Sequence, residues 1–240
     1  MSSVLVIDDE QPTLIMFSHM LGAYGYSVLT ATSGEEGLEI FKKEKPPIVV
    51  TDIKMPQMDG IEVLRQIKAL APQTEVIVIT GHGDMDLAIQ SLNLDATDFI
   101  NKPIQRKALE QAFNRAEERL RLLSGRQDAI RVHSKGQAAV IRIQGIINAA
   151  SETEIVKAYQ DAAALKQKKI LISLHESASV NGAGLAILAQ LLLAAKKENH
   201  RVRLVAPSMN FRKVFEIVGI SKLVSIYDSE QAALESSDID

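Results

Sequence analysis

Three acids, a hydroxyl and an ammonium stand at the ends of short apolar runs. VLVI (4–7) ends in Asp8-Asp9, IVVT (48–51) in Asp52 and VIVIT (76–80) in Thr80-Gly81, while FIN (99–101) leads into Lys102-Pro103. Three carboxylates held within a few Å of one another repel, which raises their pKa values or recruits a cation. An all-oxygen donor set favours a hard ion, and Mg²⁺ takes one or two carboxylates and keeps its waters. Such an ion orients phosphate oxygens while a carboxylate attacks phosphorus in line, and the product is an acyl phosphate. The Lys102 ammonium and the Thr80 hydroxyl are suited to holding the new phosphoryl oxygens, and Gly81 leaves room beside them. Lys54 and His82 flank the site, where they would tune the lifetime of the phosphate. Met55, Pro56 and Gly60 shape the loop after Asp52, since Pro fixes φ and Gly permits φ > 0.

These groups meet only if the elements that carry them form one sheet. The β-branched runs, with VLTA at 28–31 as a further strand, alternate with helical patterns at Thr13–Ala23, Gly34–Lys43, Ile61–Leu70, Met85–Leu94 and Gln105–Leu123. Continuous apolar strands separated by helices predict a parallel sheet covered on both faces. In an open sheet of this kind the ligand crevice lies outside the carboxyl ends of the strands. In the last helix Leu109, Phe113, Ala116, Leu120 and Leu123 form one stripe, expected to pack on that sheet.

The remainder follows a different pattern. AIRVH (129–133) and the run at 138–142 flank Ser134-Lys135-Gly136-Gln137 and predict a hairpin. A helix at 152–166, strand KILISL (169–174), a helix after Gly182, strand RVRLVA (201–206), a helix at 209–218 capped by Gly219, and a helix near 229–236 follow. This predicts a mixed sheet with its helices on one face. A chain of 240 residues holds two domains of about 120 each. The boundary falls at Leu123-Ser124-Gly125-Arg126, giving domains 1–124 and 127–240.

Composition narrows the function classes. With no Cys, disulfides and Cys-based nucleophiles or metal sites are excluded. Residues 1–124 carry 12 Lys/Arg and 18 Asp/Glu, a net −6, and residues 125–240 carry 15 and 12, a net +3. Neither half has the strongly basic face of a nucleic-acid binder. The start MSSVLVIDDE lacks a secretory n-region, and the least polar run, Gly184 to Ala195, is short of the roughly 20 residues a bilayer needs. The expected compartment is the cytoplasm, with no membrane and no nucleic-acid partner.

VLVIDDE, VVTDIKMPQMDG, VIVITGHGD and DFINKP, in this order and spacing, resemble a response-regulator receiver domain over about residues 2–123. The resemblance implies a flavodoxin-like doubly wound sheet with strand order 2-1-3-4-5. It implies that Asp52 is the phosphoacceptor, fed by a sensor histidine kinase. Asp9, Asp52 and the backbone carbonyl of Lys54 would hold Mg²⁺, with Asp8 acting through water. Thr80 and Lys102 would bind the phosphoryl group, and Thr80 with the aromatic Phe99 would form the switch.

From AVIRIQG through KILISLHESASVNGAGLAIL and RVRLVAPSMNFRKVFEIVGI to SEQAAL, residues 128–236 resemble the STAS family, which includes the anti-sigma-factor antagonists. Antagonists of the partner-switching kind carry Asp-Ser-Ser-Gly-Leu at a helix mouth, where the second Ser is phosphorylated. Here those positions read Asn181-Gly182-Ala183-Gly184-Leu185, and Ala183 has no hydroxyl. Ser177 and Ser179 lie nearby as loop and capping residues. Phosphate control is therefore expected at Asp52, with Asn181, Gly182, Ala183 and Gly184 as a partner surface. The function implied is a two-component response regulator whose STAS output binds an anti-sigma factor or a partner-switching kinase. The alternative is an oligomeric scaffold built through the STAS domain and regulated by the receiver, which leaves room for a homodimer. An aspartate-dependent phosphohydrolase is disfavoured, because Asp52-Ile53-Lys54 lacks a second acid two residues on. Direct DNA binding is disfavoured by the absence of a helix-turn-helix pattern.

Overall fold

The computed structural model describes residues 2–81, 84–124, 130–176, 178–206 and 209–236. The chain divides into two compact units, Met1–Ser124 and Gly125–Asp240. The predicted roles of His82 and Ser177 lie outside the described residues, as does the side chain of Leu123.

In the first unit five strands, β1 (Ser3–Ile7), β2 (Ser27–Ala31), β3 (Ile48–Asp52), β4 (Glu75–Thr80) and β5 (Asp98–Asn101), pair in parallel in the order 2-1-3-4-5. Helices α1 (Gln11–Ala23), α2 (Gly34–Glu44), α3 (Gly60–Leu70), α4 (Met85–Asn93) and α5 (Arg106–Ser124) alternate with them. Every residue of β3 and β4 is buried, as strands covered on both faces must be. Ser33 and Asp59 cap α2 and α3, their side chains accepting the amides of Glu36 and Glu62. On α5, Leu109, Ala112, Phe113 and Ala116 join a core with Phe17, Leu21, Val50 and Ile100, and Leu120 packs at its edge. The next face of α5 carries charges that the sequence reading missed. Arg119 pairs with Glu75 at 3.0 Å, and Arg115 pairs with Asp98. Both pairs are buried, and they pin α5 to the first residues of β4 and β5, the end of the sheet away from Asp52.

The second unit is a mixed sheet in the order β12-β11-β9-β7-β6. Its strands are β6 (Ile130–Lys135), β7 (Ala138–Ile143), β9 (Lys169–Leu174), β11 (Val202–Val205) and β12 (Ile226–Tyr227), and only β6 and β7 pair antiparallel. The hairpin turn is Gly136-Gln137. A separate parallel pair joins β8 (Ile146–Ile147) to β10 (Ser179–Val180). The helices are α6 (Glu152–Ala164), α7 (Gly182–Lys197), α8 (Met209–Ile217) and α9 (Glu230–Glu235). Gly219, at φ 81°, follows α8 as expected of a C-cap.

The expectation that all these helices share one face of the sheet is corrected. Ala233 of α9 packs on Ala138, Val140, Leu171 and Val205. Side chains alternate along a strand, so Ile141, Ile172 and Leu204 point the other way, and they are equally buried. There α6 and α7 supply Ile155, Ala162, Leu188 and Leu192. A short helix holds its place on the α9 face through polar anchors. Glu230 takes hydrogen bonds from Lys135 at 2.7 Å, Arg142 at 2.6 Å and Ser173 at 2.9 Å. The Arg203 guanidinium donates to the Ala233 carbonyl at 2.5 Å. Partial burial alone would raise the Glu230 pKa, but its three donors outweigh burial and bring it down to about 2 from 4.5. A carboxylate with a depressed folded pKa stabilises above its unfolded pKa and loses that contribution as pH falls through the folded value. After discounting for partial exposure, Glu230 contributes about 2 kcal/mol at neutral pH. Urea denaturation of Glu230→Gln is expected to show that loss at pH 7. The variant should also lack the component of acid destabilisation that the natural chain shows between 4.5 and about 2.

Candidate functional site

The loops at the carboxyl ends of β1, β3, β4 and β5 bring Asp8, Asp52, Thr80 and Lys102 to one edge. Lys102 Nζ lies 3.2 Å from Asp52 Oδ1, 3.7 Å from Asp8 Oδ2 and 4.0 Å from Glu10 Oε2. Asp8 and Asp52 are 1% and 5% exposed, so one partly exposed ammonium faces two acids that water hardly reaches. Asp9, by contrast, is exposed, and Glu10 was not foreseen as a neighbour of the lysine. Burial pushes Asp52 up to about 6, against the pull of Lys102 and with the help of Asp8 and Asp9. Burial raises Asp8 as well, although the Glu10 amide and Lys102 oppose it. Burial would lower Lys102, but Asp52 and Asp8 beside it outweigh this and raise its pKa.

Asp8 tests whether a cation suits the place. Its Oδ1 accepts the Glu10 N–H at 2.8 Å, whereas its buried Oδ2 has no hydrogen-bond partner. Among the described residues no three carboxylates or imidazoles close into a cage around an ion. Two buried carboxylates, one with an oxygen that no hydrogen bond satisfies, fit Mg²⁺, which takes one or two carboxylates and retains its waters.

The floor of the site rests on close backbone packing. A Cβ on Gly60 would lie 2.0 Å from the Asp52 carbonyl oxygen, and the Gly60 amide donates to the Ile53 carbonyl at 2.9 Å. Gly60 is thus required for space and not for a positive φ, which in this loop falls on Gln57 at 66°. Thr80 is buried, and its hydroxyl lies 3.2 Å from Asn101 Oδ1 and 3.4 Å from the Gly81 carbonyl. Asn101, which faces Thr80 across β4 and β5, was not among the expected site residues. Phe99 is fully buried. Lys54 Nζ reaches across to Asp84 Oδ1 at 2.8 Å, and the other Asp84 oxygen occupies the room that Gly81 leaves.

At the mouth of α7 the expected open surface is partly closed. The Asn181 side chain accepts the Gly184 amide at 2.9 Å, an N-cap that satisfies the first turn from within. Gly184 is buried, and a Cβ there would meet the Ile147 carbonyl oxygen at 2.1 Å. Gly184 therefore serves packing on β8, leaving Ala183 exposed and Asn181 and Gly182 half-buried.

Two family profiles match the chain. The response regulator receiver domain matches residues 4–114, and the Mlab, STAS domain matches residues 130–225. The transcriptional regulatory protein GlrR of Escherichia coli is 36% identical over 115 residues, which cover 48% of this chain and 26% of that protein. The match thus spans about a quarter of that relative. Chemotaxis protein CheY of Thermotoga maritima is 34% identical over 116 residues, 48% of this chain and 97% of CheY. A crystal structure of a response regulator receiver domain protein from Clostridium thermocellum is 41% identical, with a TM-score of 0.50. It covers 51% of this chain and 99% of that one. Among the described residues no helix is long and apolar enough to cross a membrane.

Proposed function

Because the chain belongs to the response-regulator family, with a receiver domain followed by a STAS domain, we propose that it takes a phosphoryl group on Asp52 from a sensor histidine kinase and that this controls what the STAS domain binds. The observation that carries the reading is a buried carboxylate, Asp52, placed 3.2 Å from the Lys102 ammonium with Asp8 beside it. An Asp52 oxygen attacks phosphorus as the P–N bond of a phosphoimidazole breaks, and the imidazole nitrogen leaves with the electron pair. Lys102 holds the incoming phosphoryl oxygens and offsets the charge that gathers beside Asp8. Asp9, Asp52 and the Lys54 carbonyl, with Asp8 acting through water, would hold Mg²⁺, which when bound would neutralise phosphate charge. Thr80 exchanges its contact with Asn101 for the phosphoryl group, and Phe99 repacks in the space this opens. The STAS domain is the output, and phosphate control rests on Asp52 because Ala183 offers no hydroxyl.

The test is partner capture from cell extract with the full chain and Mg²⁺, with and without a small phosphodonor. A partner of the anti-sigma or partner-switching kinase class whose capture changes with phosphodonor, and does not change with Asp52→Asn, is the expected result. Equal capture in every condition rules out phosphate gating of the output.

A further inference from the structure

Two tyrosines on the way into β2 meet two glutamates of α5 in the same manner. The Tyr24 hydroxyl donates to Glu110 Oε1 at 2.8 Å, and the Tyr26 hydroxyl donates to Glu117 Oε1 at 2.5 Å. Glu110 and Glu117 are seven residues apart, two turns along one face of the helix. A cation completes the first pair. Arg106, one turn before Glu110, donates its Nε–H to Glu110 Oε1 at 2.9 Å and to the Tyr24 hydroxyl at 3.1 Å. Its guanidinium carbon lies 5.9 Å from the centre of the Tyr24 ring, within cation–π range. One carboxylate and one tyrosine thus hold one guanidinium between them.

The second pair has its ring and its carboxylate, but the chain supplies the cation from neither side. One turn before Glu117 stands Phe113, buried, with its ring 5.2 Å from that of Tyr26 and tilted by 56°. One turn after it stands Arg121, whose Nε and Nη2 donate to the two oxygens of Glu118, both at 2.7 Å. Glu117 is exposed, and among the described residues no cation pairs with it. Tyr24, Tyr26, Phe113, Asn114 and Glu117 line an open pocket of about 320 Å³ whose wall includes no basic residue. Residues 1–124 carry a net −6, which draws a basic group towards this surface. We infer that the pocket takes an arginine side chain of a partner protein, its guanidinium bonded to Glu117 and its stem laid along the wall of Tyr26 and Phe113, as Arg106 is held by Glu110 and Tyr24. The inference does not rest on phosphate at Asp52, since Tyr26 precedes β2 and Asp52 ends β3, at the other end of a parallel sheet.

The probe is the blocked tripeptide acetyl-Ala-Arg-Ala-amide, titrated at low salt into the isotope-labelled full chain and followed by NMR. Millimolar binding is expected, with shifts centred on Tyr26, Phe113, Asn114 and Glu117. The same peptide with citrulline for arginine keeps the shape without the charge, and it should bind at least fivefold more weakly. Glu117→Gln, at an exposed position, should keep the fold by circular dichroism and weaken the arginine peptide at least fivefold. Asn114→Arg, three residues before Glu117 and also exposed, should supply the cation from within and block the peptide, whereas Asn114→Ala should leave binding intact. Absence of shifts up to tens of millimolar peptide overturns the proposal, and so does equal binding of the citrulline peptide. Affinity unchanged by Glu117→Gln or by Asn114→Arg overturns it as well.

Discussion

Asp52→Asn is expected to leave a folded chain that takes up no phosphoryl group. An amide oxygen is a poor nucleophile for phosphorus, and the remaining acids have other environments: Asp8 is buried with one oxygen on the Glu10 amide, and Asp9 is exposed. Incorporation from acetyl phosphate, followed by intact mass in the presence of Mg²⁺, should fall by at least about 10³-fold. Stability should move in the opposite direction. The Asp52 carboxyl sits near pKa 6, well above its ordinary 3.8, so at neutral pH its ionised form is disfavoured by burial and by Asp8. A raised carboxyl pKa costs the fold more as pH rises through it, and a shift of that size corresponds to about 3 kcal/mol at pH 7 before Mg²⁺ is bound. Asparagine removes that charge. Urea denaturation without metal should therefore find the variant at least as stable as the natural chain at pH 7, with the advantage shrinking towards pH 4. A variant that still incorporates phosphate at the natural rate places the acceptor elsewhere.

Gly60→Ala should damage both the fold and the site. The new Cβ would stand 2.0 Å from the Asp52 carbonyl oxygen, 2.8 Å from its carbon and 2.9 Å from the Ile53 Cα. All three are backbone atoms, so no side chain can swing aside. The loop from Ile53 to Asp59 must shift, breaking the Gly60–Ile53 hydrogen bond and moving the Asp52 carboxylate relative to Lys102. Overpacking that only the backbone can relieve costs about 3 kcal/mol or more. The denaturation midpoint should drop by that equivalent, and phosphoryl uptake should fall well before the chain unfolds. A change within about 0.5 kcal/mol would show that the approach of Gly60 to Asp52 is not tight in solution.

Much of the first unit was legible because its strands are short runs rich in apolar, β-branched residues, each followed by a helical pattern of different period. The residues at the carboxyl ends of those runs then followed from topology alone, which is why Asp8, Asp52 and Lys102 emerge together. What escaped had no local signature. Strands β8, β10 and β12 have two residues each, too few for any alternation to register. Arg115 and Arg119 look like ordinary surface charges of a helix until Asp98 and Glu75 are found beneath them. The placement of α9 on the opposite face depends on Glu230 meeting Lys135 and Arg142, residues about ninety positions earlier. The contact of Thr80 with Asn101 and the cap that Asn181 gives to α7 are settled by side-chain rotamers, to which pattern and spacing are blind.

The most direct test of the central claim is hydrogen exchange of the full chain with Mg²⁺, before and after phosphodonor, in the natural sequence and in Asp52→Asn. If phosphate at Asp52 governs the output, amides of residues 130–236 change their protection on phosphorylation, together with those around Thr80 and β5, and the asparagine variant shows neither change. Changes confined to residues 1–124 would contradict it: Asp52 would then be phosphorylated without informing the STAS domain.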